Sequence, residues 1–114
     1  MKHIERRGEI YIITPHKDLT DGHETREIEW AMDHILAEGP PHVVIDLGHV
    51  SFINSAALGT LVQALTSCTN RGGWFRVAQV GKRIHNLFLI TRLSFAFDTY
   101  DTVEEALQGV GQGS

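Results

Sequence analysis

Asn54 and Ser55 stand side by side where a predicted strand gives way to a predicted helix. The first turn of a helix presents unpaired backbone amides and the positive end of the helix dipole. Asparagine and serine are both good N-cap residues, because a side-chain oxygen can accept a hydrogen bond from one of those amides. Position alone therefore predicts that one of the two residues caps the helix.

Ser55 is also a candidate nucleophile, but the surrounding residues do not favour an enzyme. A serine hydrolase needs a histidine and an acid held near its serine. The segment Asn54-Ser55-Ala56-Ala57 is not the G-x-S-x-G turn of that class. The seven histidines contain no helical i, i+4 pair, and no glycine-rich phosphate loop is present. We therefore expect no enzymatic activity, no metal site and no cofactor.

Two predicted elements must position this pair. Residues 43–47 form an apolar run with one acid, Asp46, which is typical of a strand buried on both faces of a parallel sheet. We expect Asp46 to bond nearby loop amides. Residues 55–70 carry leucine and valine at helical spacing, and Gly72 and Gly73 follow as a stop signal.

The remaining periodicity predicts the order β-β-α-β-α-β-α-β-α. Strands alternating with helices imply parallel pairing with right-handed crossovers, and the first two strands form an antiparallel hairpin around Arg7-Gly8. Thr20 or Asp21 is expected to cap the first helix, and Thr102 with Glu105 forms a capping box for the last. The strands are predicted at 3–6, 9–14, 43–47, 74–80 and 95–100, and the helices at 21–38, 55–70, 82–91 and from 103.

These elements predict one α/β domain. It has a mixed, mostly parallel sheet of about five strands and about four α-helices, mainly on one face. A chain of 114 residues leaves room for a single domain. We place the domain at residues 1–109 and a flexible, glycine-rich tail at 110–114.

Composition excludes several classes of function. A net charge of -4 argues against a general nucleic-acid binder, which would show a basic face. No apolar run approaches the roughly 20 residues of a membrane span, and the charged N-terminus is not a signal peptide. Cys68 lies at helical spacing after Leu61 and Leu65, which predicts a buried, small hydrophobic side chain. We expect a cytoplasmic protein without membrane insertion.

Three segments of the chain match a known pattern in order and spacing, and they agree with the predicted elements. The segments are Asp-Leu-Gly-His-Val-Ser-Phe-Ile-Asn-Ser-Ala-Ala-Leu-Gly-Thr-Leu at 46–61, Val-Gly-Lys-Arg-Ile-His-Asn-Leu-Phe-Leu-Ile-Thr at 80–91, and Phe-Asp-Thr-Tyr-Asp-Thr-Val-Glu-Glu-Ala-Leu at 97–107. Together they resemble the STAS family, which includes the anti-sigma factor antagonists and is named after sulfate transporters and those antagonists. The resemblance covers nearly the whole chain after Ile10.

The resemblance implies a non-enzymatic regulatory module that binds a kinase-type anti-sigma factor. In family members that act as switches, the partner kinase phosphorylates the serine that matches Ser55, and a phosphatase restores it. Phosphorylation would add about 1.5 to 2 negative charges at the helix N-terminus and obstruct a partner that packs there. The partner-binding residues are then expected to be Asn54, Ser55, Ala56, Ala57, Gly59, Lys82 and Arg83. The oligomeric state stays open.

Three positions depart from the family pattern. Asn54 replaces an acid, Arg92 replaces a glycine, and Ala57 stands at a step that is usually glycine. A neutral Asn54 removes a charge that a kinase or phosphatase could read. This keeps an alternative open, a STAS subunit that does not switch and acts as a scaffold in a signalling assembly or transport complex. An enzyme or small-ligand binder that uses the same turn is the second alternative.

Overall fold

The computed structural model describes residues 3–20 and 22–109, and the order of its elements confirms the predicted one. The strands are β1 (Ile4–Arg7), β2 (Ile10–Ile13), β3 (His42–Asp46), β4 (Trp74–Ala78) and β5 (Asp98–Tyr100). The helices are α1 (His23–Leu36), α2 (Ser55–Asn70), α3 (Lys82–Ile90) and α4 (Val103–Gln108), and a single 3-10 turn spans Leu93–Phe95.

The five strands form one mixed sheet in the order β1-β2-β3-β4-β5. β1 and β2 are antiparallel, and every later pair of neighbours is parallel. This confirms a mostly parallel sheet with a hairpin at one edge. Because β3 and β4 point the same way, their C-terminal ends lie side by side, with Asp46 opposite Ala78. The loops that precede α2 and α3 therefore emerge at one edge of the sheet.

Helices cover the two faces of the sheet unequally. The larger core joins inward-facing strand residues such as Ile45 and Val77 to the apolar sides of α1, α2 and α3. The smaller core lies on the opposite face, where Val44 and Tyr100 meet Ala106 of α4. Three of the four helices thus share one face, as expected. Within the described residues, no helix combines the length and the apolar composition that crossing a bilayer would require.

Asp46 fastens the end of β3 to the loop that follows it. The carboxylate is only 9% exposed. Its Oδ1 accepts a hydrogen bond from the Gly48 amide at 2.9 Å, and its Oδ2 accepts one from the Gln79 side chain at 3.2 Å. The expected bond to a loop amide is confirmed, and the start of the loop toward Asn54 is held by a satisfied buried acid.

Several predicted element boundaries were wrong. The strand predicted at 74–80 ends at Ala78, and the helix predicted at 21–38 ends at Leu36. The strand predicted at 95–100 is β only from Asp98, because the chain first makes the 3-10 turn and then buries Phe97 against Phe88. Helix α1 begins at His23, and its N-cap is Gly22 with no side-chain hydrogen bond. Thr20 is therefore not the cap; its backbone carbonyl accepts a hydrogen bond from the Thr25 hydroxyl.

The C-terminal helix begins as predicted. The Glu105 amide donates to the Thr102 hydroxyl oxygen at 3.1 Å. The Glu105 carboxylate accepts a hydrogen bond from the same hydroxyl at 3.3 Å, so the second bond of the predicted box joins the two side chains. Gly109 ends the helix with φ of 72°, a left-handed conformation that glycine adopts without strain. The alternative cap Asp21 and the tail at 110–114 lie outside the described residues.

Arg92 has φ of 63°, at the position where the family resemblance leads one to expect glycine. A side chain in this left-handed region costs roughly 1–2 kcal/mol through contact of Cβ with the backbone. We therefore expect Arg92→Gly to be about 1 kcal/mol more stable than Arg92→Ala in urea unfolding. Equal stability of the two variants would contradict the left-handed backbone at this position.

Candidate functional site

Asn54 and Ser55 have different roles at the start of α2, since only Asn54 caps the helix. Asn54 is the N-cap of α2, and its Oδ1 accepts a hydrogen bond from the Ala57 amide at 2.8 Å. Ser55 is the first residue of α2 and is exposed. Its hydroxyl makes no hydrogen bond to any described residue. Because the cap is already made, the Ser55 hydroxyl is free for another use.

The first turn of α2 suits an added negative charge. It contains no acidic residue. The helix runs for 16 residues, and Ser55 lies at the positive end of its dipole. A phosphate there would meet favourable local electrostatics, and would not by itself unfold the helix.

The other residues predicted on α2 do not all face solvent. Ala56 and Gly59 are exposed, and an added Cβ at Gly59 would meet no atom within 4 Å. Ala57 is only 1% exposed and packs in the larger core. Its side chain faces the core, so the structure contradicts Ala57 as a contact side chain. Helical periodicity explains the difference, because positions 55, 56 and 59 share the outer side of α2.

Lys82 and Arg83 are the first two residues of α3, and both are exposed. Since β3 and β4 end side by side, the N-terminus of α3 lies on the same edge of the sheet as that of α2. The structure thus places these two cations at the edge that carries Ser55. We call the exposed residues Ser55, Ala56, Gly59, Lys82 and Arg83 the Ser55 surface.

An apolar cleft of about 310 Å³ adjoins the Ser55 surface. Sequence reasoning missed it, although its walls contain two unusually exposed apolar side chains, Phe52 at 43% and Ile90 at 79%. Exposed apolar surface of this kind often marks a binding surface. The cleft is lined by Phe52, Ile53, Arg83, Ile84, Asn86, Leu87 and Ile90.

The loop between β2 and α1 also reaches this edge, which sequence reasoning did not foresee. Leu19 forms a parallel bridge with Ile53, and the Leu19 carbonyl accepts a hydrogen bond from the Asn54 amide at 2.9 Å. The neighbouring Asp18 accepts hydrogen bonds from Ser51 and Phe52. The pKa of Asp18 is held below its usual value, first by the bond from the Ser51 amide and also by the charge of Arg83.

Among residues 3–20 and 22–109, no histidine is placed to act as a base for Ser55. No histidine lines the apolar cleft, and no described histidine is hydrogen-bonded to Ser55. Cys68 is buried as predicted, and burial raises the pKa of its thiol to about 11, which disfavours the reactive thiolate. Across residues 3–20 and 22–109, no group of His, Cys, Asp or Glu side chains is arranged to hold a metal ion.

Comparison with known proteins assigns this chain to a family. A family model described as the STAS domain matches residues 1–106. A candidate anti-sigma factor antagonist of Thermotoga neapolitana is 30% identical over 102 residues, which cover 90% of each chain.

Solved structures share the same fold. The crystal structure of a candidate anti-sigma factor antagonist from Thermotoga maritima has a TM-score of 0.85 and 26% identity, and the match covers 94% of this chain and 92% of that one. The phosphorylated form of the Bacillus cell fate determinant SpoIIAA has a TM-score of 0.74 at 17% identity, over 94% of this chain and 96% of that one. At that identity the second likeness shows the fold alone.

Proposed function

Because this chain belongs to the STAS domain family, we propose that it is a non-enzymatic anti-sigma factor antagonist that acts in the cytoplasm. It binds a kinase-type anti-sigma factor through the Ser55 surface and the apolar cleft. Phosphorylation of Ser55 by that kinase releases the partner, and a phosphatase restores binding. The likeness to proteins named as anti-sigma factor antagonists supports this choice of partner.

The observation that carries the proposal is the free hydroxyl of Ser55. Asn54 makes the N-cap bond, and the Ser55 hydroxyl has no hydrogen bond to residues 3–20 or 22–109 that phosphorylation would break. The residue is exposed and begins a 16-residue helix. A kinase can therefore reach the hydroxyl, and the domain can accept the phosphate without changing its fold.

The surroundings of Ser55 explain how the phosphate would act on the partner. Phe52 and Ile53 line the apolar cleft and directly precede the Asn54-Ser55 turn. A partner that covers both areas removes water from the hydroxyl. A phosphate of about 1.5 to 2 negative charges in that contact would lose its hydration and hold the two surfaces apart. The same domain structure then has a binding and a non-binding state.

Ile90→Asp tests whether the apolar cleft takes part in docking. Ile90 is largely exposed, so a charge there leaves the core intact while it makes the cleft polar. We expect the affinity for a purified kinase-type anti-sigma factor to fall about 10- to 100-fold in isothermal titration calorimetry.

Leu89→Asp is the matched control for that experiment. Leu89 is the preceding residue on α3 and is 50% exposed, but it does not line the cleft. Its variant should bind within about threefold of wild type. Equal losses in the two variants would remove the cleft from the docking surface. Failure of wild type to bind any kinase-type anti-sigma factor would overturn the proposed partner.

The neutral Asn54 favours one second candidate, a STAS subunit that binds its partner without a phosphorylation switch. The side chain keeps the cap but offers no charge for a kinase to read. Such a scaffold would bind equally well before and after incubation with kinase and ATP, and its Ser55 would gain no mass. The switch requires the opposite result in both measurements.

A further inference from the structure

Asp18 connects the loop after β2 to the loop that leads into α2. Its Oδ1 accepts hydrogen bonds from the Ser51 amide at 2.8 Å and from the Phe52 amide at 3.2 Å. The Ser51 hydroxyl also donates to Oδ1, at 3.1 Å. One carboxylate oxygen thus accepts hydrogen bonds from three donor groups. These belong to two consecutive residues more than thirty positions away in the chain.

The next residues continue this connection as a short stretch of parallel backbone pairing. The Leu19 amide donates to the Phe52 carbonyl at 2.9 Å, and the Asn54 amide donates to the Leu19 carbonyl at 2.9 Å. Leu19 itself is fully buried. Both backbone polar groups of Phe52 are therefore bonded to the β2–α1 loop, its amide through Asp18 and its carbonyl through Leu19.

Phe52 needs such support because its own side chain is partly exposed. It is 43% exposed and forms one wall of the apolar cleft. A side chain that is only half covered gains only about half of the roughly 1.5–3 kcal/mol that full burial of a phenylalanine gives. Its position therefore depends also on its backbone, whose amide donates a hydrogen bond to Asp18.

We propose that Asp18 is a positioning residue of the docking surface, which presents Phe52 to the partner by holding the Ser51 and Phe52 amides. Its consequence for binding rests on the proposed function, whereas its effect on the loop can be measured without a partner. The β2–α1 loop thereby supports the docking surface, although neither Asp18 nor Leu19 lines the cleft.

Hydrogen exchange of the free protein gives the direct test. Asp18→Ala removes the acceptor, and we expect the Ser51 and Phe52 amides to exchange at least about tenfold faster, while amides in the middle of α2 keep their rates. Asp18→Asn keeps a carbonyl acceptor of the same size, and should restore most of the protection. Asp33→Ala removes an exposed acid on α1 and should change neither amide.

A pH titration separates this role from a loss of fold. The hydrogen bonds to Asp18 favour its ionised form, so its native pKa is lower than its unfolded value of about 3.9. The extra stabilisation that the ionised carboxylate gives these bonds is then complete above the unfolded value, and the bonds weaken as pH falls through the native one. The Ser51 and Phe52 amide resonances should shift with a midpoint below about 3.9 in wild type, and show no such shift in Asp18→Asn.

Binding completes the test. Against a kinase-type anti-sigma factor that binds wild type, Asp18→Ala should lose about tenfold in affinity and Asp18→Asn no more than about threefold. Unchanged exchange of both amides in Asp18→Ala would overturn the inference. If the exchange changes as expected but wild type binds no such partner, the proposed function fails and the positioning of Phe52 by Asp18 stands.

Discussion

Ser55→Glu should lower the affinity for a kinase-type anti-sigma factor by about 100-fold or more. The glutamate places a charge where the free hydroxyl lies, beside the apolar cleft. Burying that charge against a partner without a matching cation costs about 3–5 kcal/mol, which corresponds to a loss of about 100-fold or more. The variant should keep the fold and the thermal stability of wild type, since a negative charge in the first turn of a helix is favourable.

Two controls separate the charge from other effects of substitution. Ser55→Ala should bind within about threefold of wild type, because the hydroxyl makes no hydrogen bond to the described residues. Gln63→Glu adds the same charge to an exposed position two turns later on α2, and should also bind normally. Incubation with the partner kinase and ATP should add one phosphate to wild type and none to Ser55→Ala, as mass mapping would show. Normal binding by Ser55→Glu, or a phosphate mapped elsewhere, would contradict the switch.

Gly73→Ala should destabilise the domain by about 3 kcal/mol in urea unfolding. An added Cβ at Gly73 would overlap the Pro41 carbonyl oxygen. Neither partner can move away easily, because the Trp74 amide donates to that same oxygen at 2.9 Å and the Gly73 amide donates to the Cys68 carbonyl at 2.9 Å. The contact joins the end of α2 to the start of β3 and β4, so relief of the overlap would disturb the central strands.

Gly59→Ala is the contrasting variant for this prediction. Gly59 lies inside α2, and an added Cβ there meets no atom within 4 Å. Alanine should therefore stabilise the helix by about 0.5–1 kcal/mol. If the two glycine variants changed the free energy of unfolding in the same direction, the close approach of Pro41 to Gly73 would be refuted.

Element type and order could be predicted because they depend on local pattern. The apolar run at 43–47 identified β3 as a buried parallel strand, and helical spacing located α2 at its observed bounds, Ser55–Asn70. The predicted start of β5 was wrong, because side-chain burial outweighed the local residue pattern there. The segment before β5 is rich in aromatic residues and resembles a strand, but Phe97 turns into the core and the chain makes a 3-10 turn first.

The candidate site was only partly predictable, for a physical reason. Spacing alone placed Ser55, Lys82 and Arg83 at helix N-termini, and the topology of a parallel sheet brought those N-termini to one edge. Spacing could not decide whether Asn54 or Ser55 makes the cap, because both residue types can do so. That choice depends on which side chain reaches the Ala57 amide.

The sequence by itself determined the fold class, the order of the elements and the segment that carries the site. These follow from the periods of burial and from helix-end chemistry, which act over a few neighbouring residues. Only the tertiary structure decided that Ser55 keeps a free hydroxyl, that Ala57 is buried, and that Phe52 and Ile90 share a cleft. It also decided that Asp18 accepts a hydrogen bond from the Phe52 amide. Such contacts join residues far apart in the chain, and they exist only once the register of the strands and the packing of the helices are set.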